Sequence, residues 1–211
     1  MGVVDKALVA SNTGAVEDDA LALVSIAQST VEVTLEGFVG DKHAGMTARA
    51  TTRTPHYPLN AVIRNSRQLS IVSPDDLAMV ANRLAIARIL PEWLGANLSI
   101  DRIPRLTSLP PATRLYFPND AVLVVEGENL PCAFPGKVLE QQYPAIRGLA
   151  SRFPKAAFHH RGVVAWVERA GMISQSDEVV IQVPTQAIYS LPSDSAAPVA
   201  VCVPRGAVPL A

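Results

Sequence analysis

Seventeen prolines are scattered along the 211 residues, and they limit the architecture more than any other feature. Proline removes a backbone donor and clashes inside a helix. A chain interrupted this often leaves room for few helices and is cut into short segments. The segments rich in Val, Ile, Leu and Thr read as strands at 6–10, 21–26, 31–36, 68–72, 97–100, 114–117, 121–126, 163–168 and 178–183. Many of them alternate apolar with polar positions, the pattern of an antiparallel sheet buried on one face. One helix is well signalled. Ser73-Pro74-Asp75-Asp76 supplies an N-cap, a proline at the first helical position and acids at the positive end of the helix dipole. That helix is expected over 74–89, where Leu77, Val80, Ala81, Leu84 and Ile89 form an apolar face able to close one end of a barrel. Shorter helices are expected at 91–94 and 136–142, the second stopped by Pro144. No repeat of fixed period and no low-complexity block occurs. The predicted class is mainly β: a barrel with a few short peripheral helices.

The hydrophobic fraction of 49% is enough for a sizeable core. A length of 211 residues suits one large β domain better than two ordinary ones. The expected division is a barrel domain over 1–184 and a tail over 185–211, whose short apolar strand at 199–203 packs on the barrel edge or on a partner. Eighteen basic against nineteen acidic side chains give a net charge of -1, so there is no whole-molecule attraction to nucleic acid. No apolar run approaches the roughly 20 residues a membrane helix needs. The N-terminus lacks the features of a secretory signal, which makes the cytoplasm the expected location. Cys132 and Cys202 are both expected to be reduced, because a domain of this size does not need a disulfide staple.

Three segments hold residues suited to chemistry. In Gly37-Phe38-Val39-Gly40-Asp41-Lys42-His43-Ala44-Gly45 the glycines let backbone amides approach an anionic ligand. Spacing alone favours a plainer structure, a wide turn in which Asp41 caps the backbone. Glu126-Gly127-Glu128-Asn129-Leu130-Pro131-Cys132 leaves an apolar strand and puts a thiol in a proline-flanked loop. A thiolate there would need nearby positive charge or backbone donors, which Arg67, Arg161 and His159 would supply if the fold gathers them. The competing reading is a buried, inert thiol, the commonest fate of free cysteine. Cys202, inside an apolar run, looks like packing alone. His159-His160-Arg161-Gly162 precedes a strand, and adjacent side chains on extended backbone point to opposite faces, so at most one histidine would face a given pocket. Arg161 reads either as a two-pronged anion clamp or as an ordinary surface arginine. Neither a Gly-x-Ser-x-Gly elbow, nor a Walker loop, nor a Rossmann fingerprint is present. No metal-ligand repeat accompanies His43.

Taken in order, 37–45, 67–76, 127–132 and 161–179 resemble the MOSC family, the type of the C-terminal domain of molybdenum-cofactor sulfurase. The first resembles its Gly-x-x-Gly-Asp-x-His-x-Gly stretch. Arg67 to Ser73 is similar to its Arg-containing strand before an acidic helix start, and Gly95-Ala96-Asn97-Leu98 to its Gly-x-Asn-Leu element. Cys132 falls where such domains carry their characteristic cysteine. Residues 161–173 are similar to the closing strand pair. A departure occurs at Ser176-Asp177, where the family often has Gly-Asp.

The resemblance implies a MOSC-type β-barrel that binds the molybdenum cofactor or carries sulfur for it. Cys132 would be the catalytic residue and soft ligand to molybdenum, and Gly40, Asp41, His43, Arg67, Asn97, Asn129 and Arg161 would bind the cofactor. Pyridoxal phosphate would enter only through a separate partner domain, for which this chain is too short. Stand-alone relatives reduce N-hydroxylated substrates. The implied partners are the cofactor or a small-molecule substrate, and a cysteine desulfurase or electron-transfer protein, without nucleic acid or membrane. The rival reading is a non-catalytic barrel that binds an anion or a partner protein while Cys132 is simply packed.

Overall fold

The computed structural model describes residues 1–10 and 24–187. Its chain divides into two compact units, Met1–Gly45 with Ser66–Pro184, and Met46–Asn65 with Thr185–Ala211.

The larger unit is built on a closed barrel. Its strands are β1 (Gly2–Val9), β7 (Leu69–Val72), β8 (Leu98–Asp101), β9 (Arg114–Tyr116), β10 (Val122–Glu128), β11 (Val163–Arg169) and β13 (Glu178–Gln182). They follow one another in the order β13-β9-β10-β11-β7-β8-β1, and β1 pairs back onto β13 through Gly2↔Val179. A ring of seven strands cannot be antiparallel throughout, since antiparallel neighbours must alternate in direction. The odd strand is absorbed at one place, the parallel pair β7–β8. Closure removes the free edges that short strands would otherwise offer to other chains. β2 (Ile26–Gln28) extends the sheet beyond β1. A second sheet runs β12 (Gly171–Ser174), β3 (Thr30–Thr34), β4 (Gly37–Phe38).

The barrel interior follows from the alternation seen in the sequence. Leu69, Ile71, Leu98, Ile100, Leu115, Leu123, Val125, Val163, Ala165 and Val167 all join one buried cluster. Alternate positions on β7 therefore face outwards, and Val72 belongs to a second cluster under the helices. Those helices are α1 (Pro74–Leu84), α2 (Ala133–Gln142) and α3 (Leu149–Ala157), with 3-10 turns at Pro91–Leu94 and Leu106–Ser108. Ser73 caps α1 as expected, its hydroxyl accepting from the Asp76 amide at 3.2 Å.

α1 stops at Leu84 and does not reach Ile89. Ala85 takes a left-handed conformation (φ 57°), and the Ile86 and Ala85 amides fold back onto the carbonyls of Ala81 and Asn82. These are the two bonds of a Schellman termination. Ile86 and Ile89 are nevertheless buried with the helical face, so the apolar spacing continues past the helix that it suggested. α2 starts at Ala133, three residues before the expected Gly136. α3 was not expected from sequence, and Pro154 lies inside it. Leu149, Phe153, Ala156 and Ala157 still fall on one buried face. The contact that favours it is close: a Cβ on Gly136 of α2 would stand 2.5 Å from the Ala150 Cα, so only glycine lets the two helices approach so nearly. The expected strand at 21–26 appears within the described residues only as β2, and residues 21–23 lie outside them. The expected strand at 199–203 also lies outside them.

The smaller unit contains a hairpin unanticipated from sequence, β5 (Thr47–Arg49) with β6 (Val62–Arg64), closed by the Asn65 amide on the Met46 carbonyl at 3.0 Å.

Candidate functional site

Several of the residues singled out from sequence meet around Ser70, an outward-facing position on β7. Its hydroxyl receives the Asn129 Nδ2 at 3.0 Å and the Arg161 Nη1 at 3.4 Å. Arg67 Nη2 donates to the Asn129 Oδ1 at 3.1 Å, so the Asn129 amide is held at both ends. Arg161 is buried, and its Nη2 donates to the Leu94 carbonyl at 2.7 Å. The reading of Arg161 as an ordinary surface arginine is thereby excluded. The backbone brings these side chains together. Asn129 leaves the end of β10 beyond a register shift between Val125 and Gly127, and its amide binds the Gly162 carbonyl at 2.9 Å. Such bulges re-aim side chains at strand ends. Gly162 is needed there, since its φ is +84° and a Cβ would stand 1.9 Å from the Ile71 carbonyl oxygen.

On the backbone side of Ser70 lies Asn97. It accepts the Ser70 amide on Oδ1 at 2.9 Å and donates its own amide to the Ser70 carbonyl at 2.8 Å. Its Nδ2 donates to the Asp41 Oδ2 at 2.7 Å. The same carboxylate oxygen accepts the Ala10 amide at 2.8 Å, while Oδ1 accepts the backbone and Nδ1 of His43 at 2.8 and 2.9 Å. Asp41 therefore caps the loop, and the amides of Ala10 and His43 are directed at it. Burial alone would raise its carboxyl, but the hydrogen bonds from the His43 side chain and from the amides of His43 and Ala10 outweigh it, with the His43 charge adding to them, and hold it below the usual carboxylate range. Burial lowers the neighbouring Lys42, partly offset by Asp41. Gly40 is exposed and turns the chain with φ +82°.

Cys132 is half-buried and is the N-cap residue of α2, where its side chain makes no capping bond. It stands three positions after Asn129, which bounds the Cα–Cα distance at about 11 Å. A helix N-terminus presents amide N–H groups and the positive end of the dipole to whatever stands there. The two histidines part company: His159 is exposed and bonds Glu128 Oε2 through Nδ1 at 3.0 Å, while His160 turns inwards to Asp76 Oδ1 at 2.8 Å. Asp76 Oδ2 accepts from the Thr107 hydroxyl, which in turn accepts the Gly162 amide at 2.9 Å.

Ser70, Thr107 and the Asp76–His160 pair were not picked out from sequence. A lone polar residue between Leu69 and Ile71 in an apolar strand was the available signal for Ser70. Asp76 had been read only as a favourable charge in the first turn of α1. Among the described residues no group of three or more His, Cys, Asp or Glu side chains could hold a metal ion, and no helix is long and apolar enough to cross a membrane.

A closed barrel with short helices outside it, a polar cluster at one strand end and a cysteine at the start of a helix define a recognisable class. Residues 47–180 match the MOSC domain, and the chain belongs to that family. A curated relative, YuaD of Bacillus subtilis (strain 168), is 43% identical over 145 residues, which are 69% of this chain and 76% of the relative; its name places it among metal-sulfur cluster biosynthesis proteins. The crystal structure of YUAD from Bacillus subtilis superposes with a TM-score of 0.81 at 36% identity, covering 88% of this chain and 98% of the other. YiiM from Geobacillus stearothermophilus shares the fold at 12% identity, with a TM-score of 0.57 over 86% of this chain and 75% of its own.

Proposed function

We propose that this protein carries sulfur for the assembly of a metal-sulfur centre or of the molybdenum cofactor, with Cys132 as the sulfur-bearing residue. The observation that carries this reading is the position of Cys132: half-buried at the start of α2, a short tether from an asparagine already bonded to Arg67 and Ser70. The name of YuaD, a relative at 43% identity, points to the same class of work.

In the proposed step the Cys132 thiolate attacks the outer sulfur of a donor persulfide, such as that of a cysteine desulfurase. A bond forms between Sγ and that sulfur, the donor's S–S bond breaks, and the donor leaves as a thiolate. Both the electrons and the sulfane sulfur are conserved, so no external oxidant is needed. Serine cannot take its place, because a hydroxyl carries no persulfide and is a poor soft ligand.

The molybdenum cofactor is tested by the donors present. Arg67, Asn129 and Arg161 form a cationic, donor-rich cluster that suits an anionic group, so these residues would hold its phosphate. The Gly40–Asp41–His43 loop suits it less directly, since its buried carboxylate already receives the Ala10 and His43 amides. Asp41, His43 and Asn97 would act by fixing Ser70. When bound, the cofactor would supply a metal with an affinity for sulfur ligands.

The deciding experiment compares wild type with Cys132→Ser after incubation with a persulfide donor, reading persulfide content by intact mass, reduction of an N-hydroxylated substrate, and thermal melting. Wild type is expected to gain one sulfur atom and the variant none, with little change in melting. A Cys202→Ser control is expected to load normally. Full loading of Cys132→Ser would refute the proposal, and substrate reduction without loading in wild type would favour the reductase reading.

A further inference from the structure

The ends of α1 and α3 enclose an open groove of about 520 Å³, lined by Arg83, Leu84, Ser151, Arg152, Lys155 and Ala156. Its charge is one-sided. No carboxylate lines it, and none of its three cations forms a salt bridge with an acidic side chain among the described residues. Two of them are held in place by the fold. Arg83, on α1, donates Nη1 to the Ala156 carbonyl at the end of α3 at 2.9 Å, and its Nη2 meets the His160 Nε2 at 2.9 Å. Arg152, on α3, donates Nη2 to the Leu84 carbonyl at the end of α1 at 3.0 Å. Each helix thus lends an arginine to the C-terminus of the other.

Capping explains part of this arrangement but not its charge. A helix C-terminus carries about half a negative charge, so the two ends offset about one of the three positive charges and leave a surplus of about two. Each guanidinium has five N–H donors. Arg83 uses one on the Ala156 carbonyl and directs a second at His160, and Arg152 uses one on Leu84, so donors remain on both. Lys155 is exposed, and its side chain makes no hydrogen bond or ion pair among the described residues. Because both guanidiniums are already oriented, an anion binding between them loses little side-chain entropy. Ser151 adds no donor, since its hydroxyl is spent on the Gly148 carbonyl at 3.0 Å.

We propose that this groove is an anion-binding site for a small phosphorylated molecule, distinct from the Arg67–Asn129–Arg161 cluster. Paired planar guanidiniums match the oxygens of a phosphate. The volume is in the range of small-ligand sites rather than of a single ion, and the side chains of Leu84 and Ala156 offer apolar wall for the organic part. The inference does not depend on the reading of Cys132.

The test is calorimetric titration of the full chain with inorganic pyrophosphate. Saturable binding at one site is expected, weakening as salt is raised. Lys155→Glu is expected to weaken it by about tenfold or more without altering the fold, as Lys155 supports no structural bond. Arg152→Gln is expected to do the same, with Arg152→Lys retaining part of the affinity; circular dichroism shows whether the loss of the Leu84 cap disturbs α1. Arg67→Gln is expected to leave this binding unchanged. Absence of saturable binding would overturn the proposal. So would binding that survives Lys155→Glu and is lost in Arg67→Gln, which would place the anion in the other cluster.

Discussion

Asp76 and His160 lie 84 residues apart in the chain and meet at 2.8 Å, joining the first turn of α1 to the segment that leads into β11. The contact orders more than the pair. His160 presents Nε2 to Arg83 and Nδ1 to Asp76, so the tautomer that fits donates from Nδ1 and accepts at Nε2. Through Thr107 the same carboxylate supports the Gly162 amide, next to Arg161. Asp76→Ala would strand the Thr107 hydroxyl and the His160 N–H without their acceptor. A loss of about 1–3 kcal/mol is expected, with a smaller loss for Asp76→Asn, which keeps one oxygen. Urea denaturation measures both; equal stability of wild type and Asp76→Ala would show that the network adds nothing.

Asp41 makes a prediction about acid. Its carboxyl is lowered in the folded protein from an ordinary value of 3.8. The unfolded chain therefore takes up the proton first, and stability rises with pH across this range. The contribution is fully present above the unfolded value and is lost as pH falls through the folded one. Wild type is expected to lose melting temperature below about pH 4, and Asp41→Asn to show a flatter acid limb while being less stable at neutral pH. Parallel curves for the two proteins would remove Asp41 as a source of the acid dependence.

Asn129 tests whether the polar cluster serves the thiol. Asn129→Ala breaks the bonds to Arg67 and Ser70, and the stability cost is expected to be about 0.5–1.5 kcal/mol per bond. Under the proposed function it also slows sulfur loading of Cys132, by an amount beyond what the unfolded fraction explains. Loading at the wild-type rate in a folded Asn129→Ala would separate Cys132 from the cluster. Rates followed by intact mass and melting curves from the same preparation distinguish the two outcomes.

Much of the architecture was readable because its signals are local. Ser73, Pro74, Asp75 and Asp76 start α1 where expected, since an N-cap acts within one turn. Alternation in 68–72 and 163–168 marked strands whose inward residues now fill the barrel. The misreadings were also local signals, each overruled from further away. Ile89 kept the helical spacing because it is buried, although the helix had ended at Leu84. α3 went unforeseen: it contains Pro154, and the burial of Phe153 and the close Gly136–Ala150 approach favour it from across the fold. The hairpin of β5 and β6 had no clear alternation to announce it.

For the candidate site the division is sharper. By itself the sequence determined the chemical inventory and the local frame: the thiol of Cys132 after an apolar strand, the glycines around Asp41, the capped helix and the order of motifs that resembles the MOSC family. Only the tertiary structure decided which groups meet. Ser70 draws together Asn97, Asn129 and Arg161 from partners 27, 59 and 91 residues away. The tertiary structure also removed the surface alternative for Arg161 by burying it, and sent His159 and His160 to different carboxylates. The physical reason is that a cap or a strand pattern is set by neighbours within a few residues. A hydrogen bond across such separations exists only after the seven strands have closed and the parallel β7–β8 pair has set Asn97 beside Ser70.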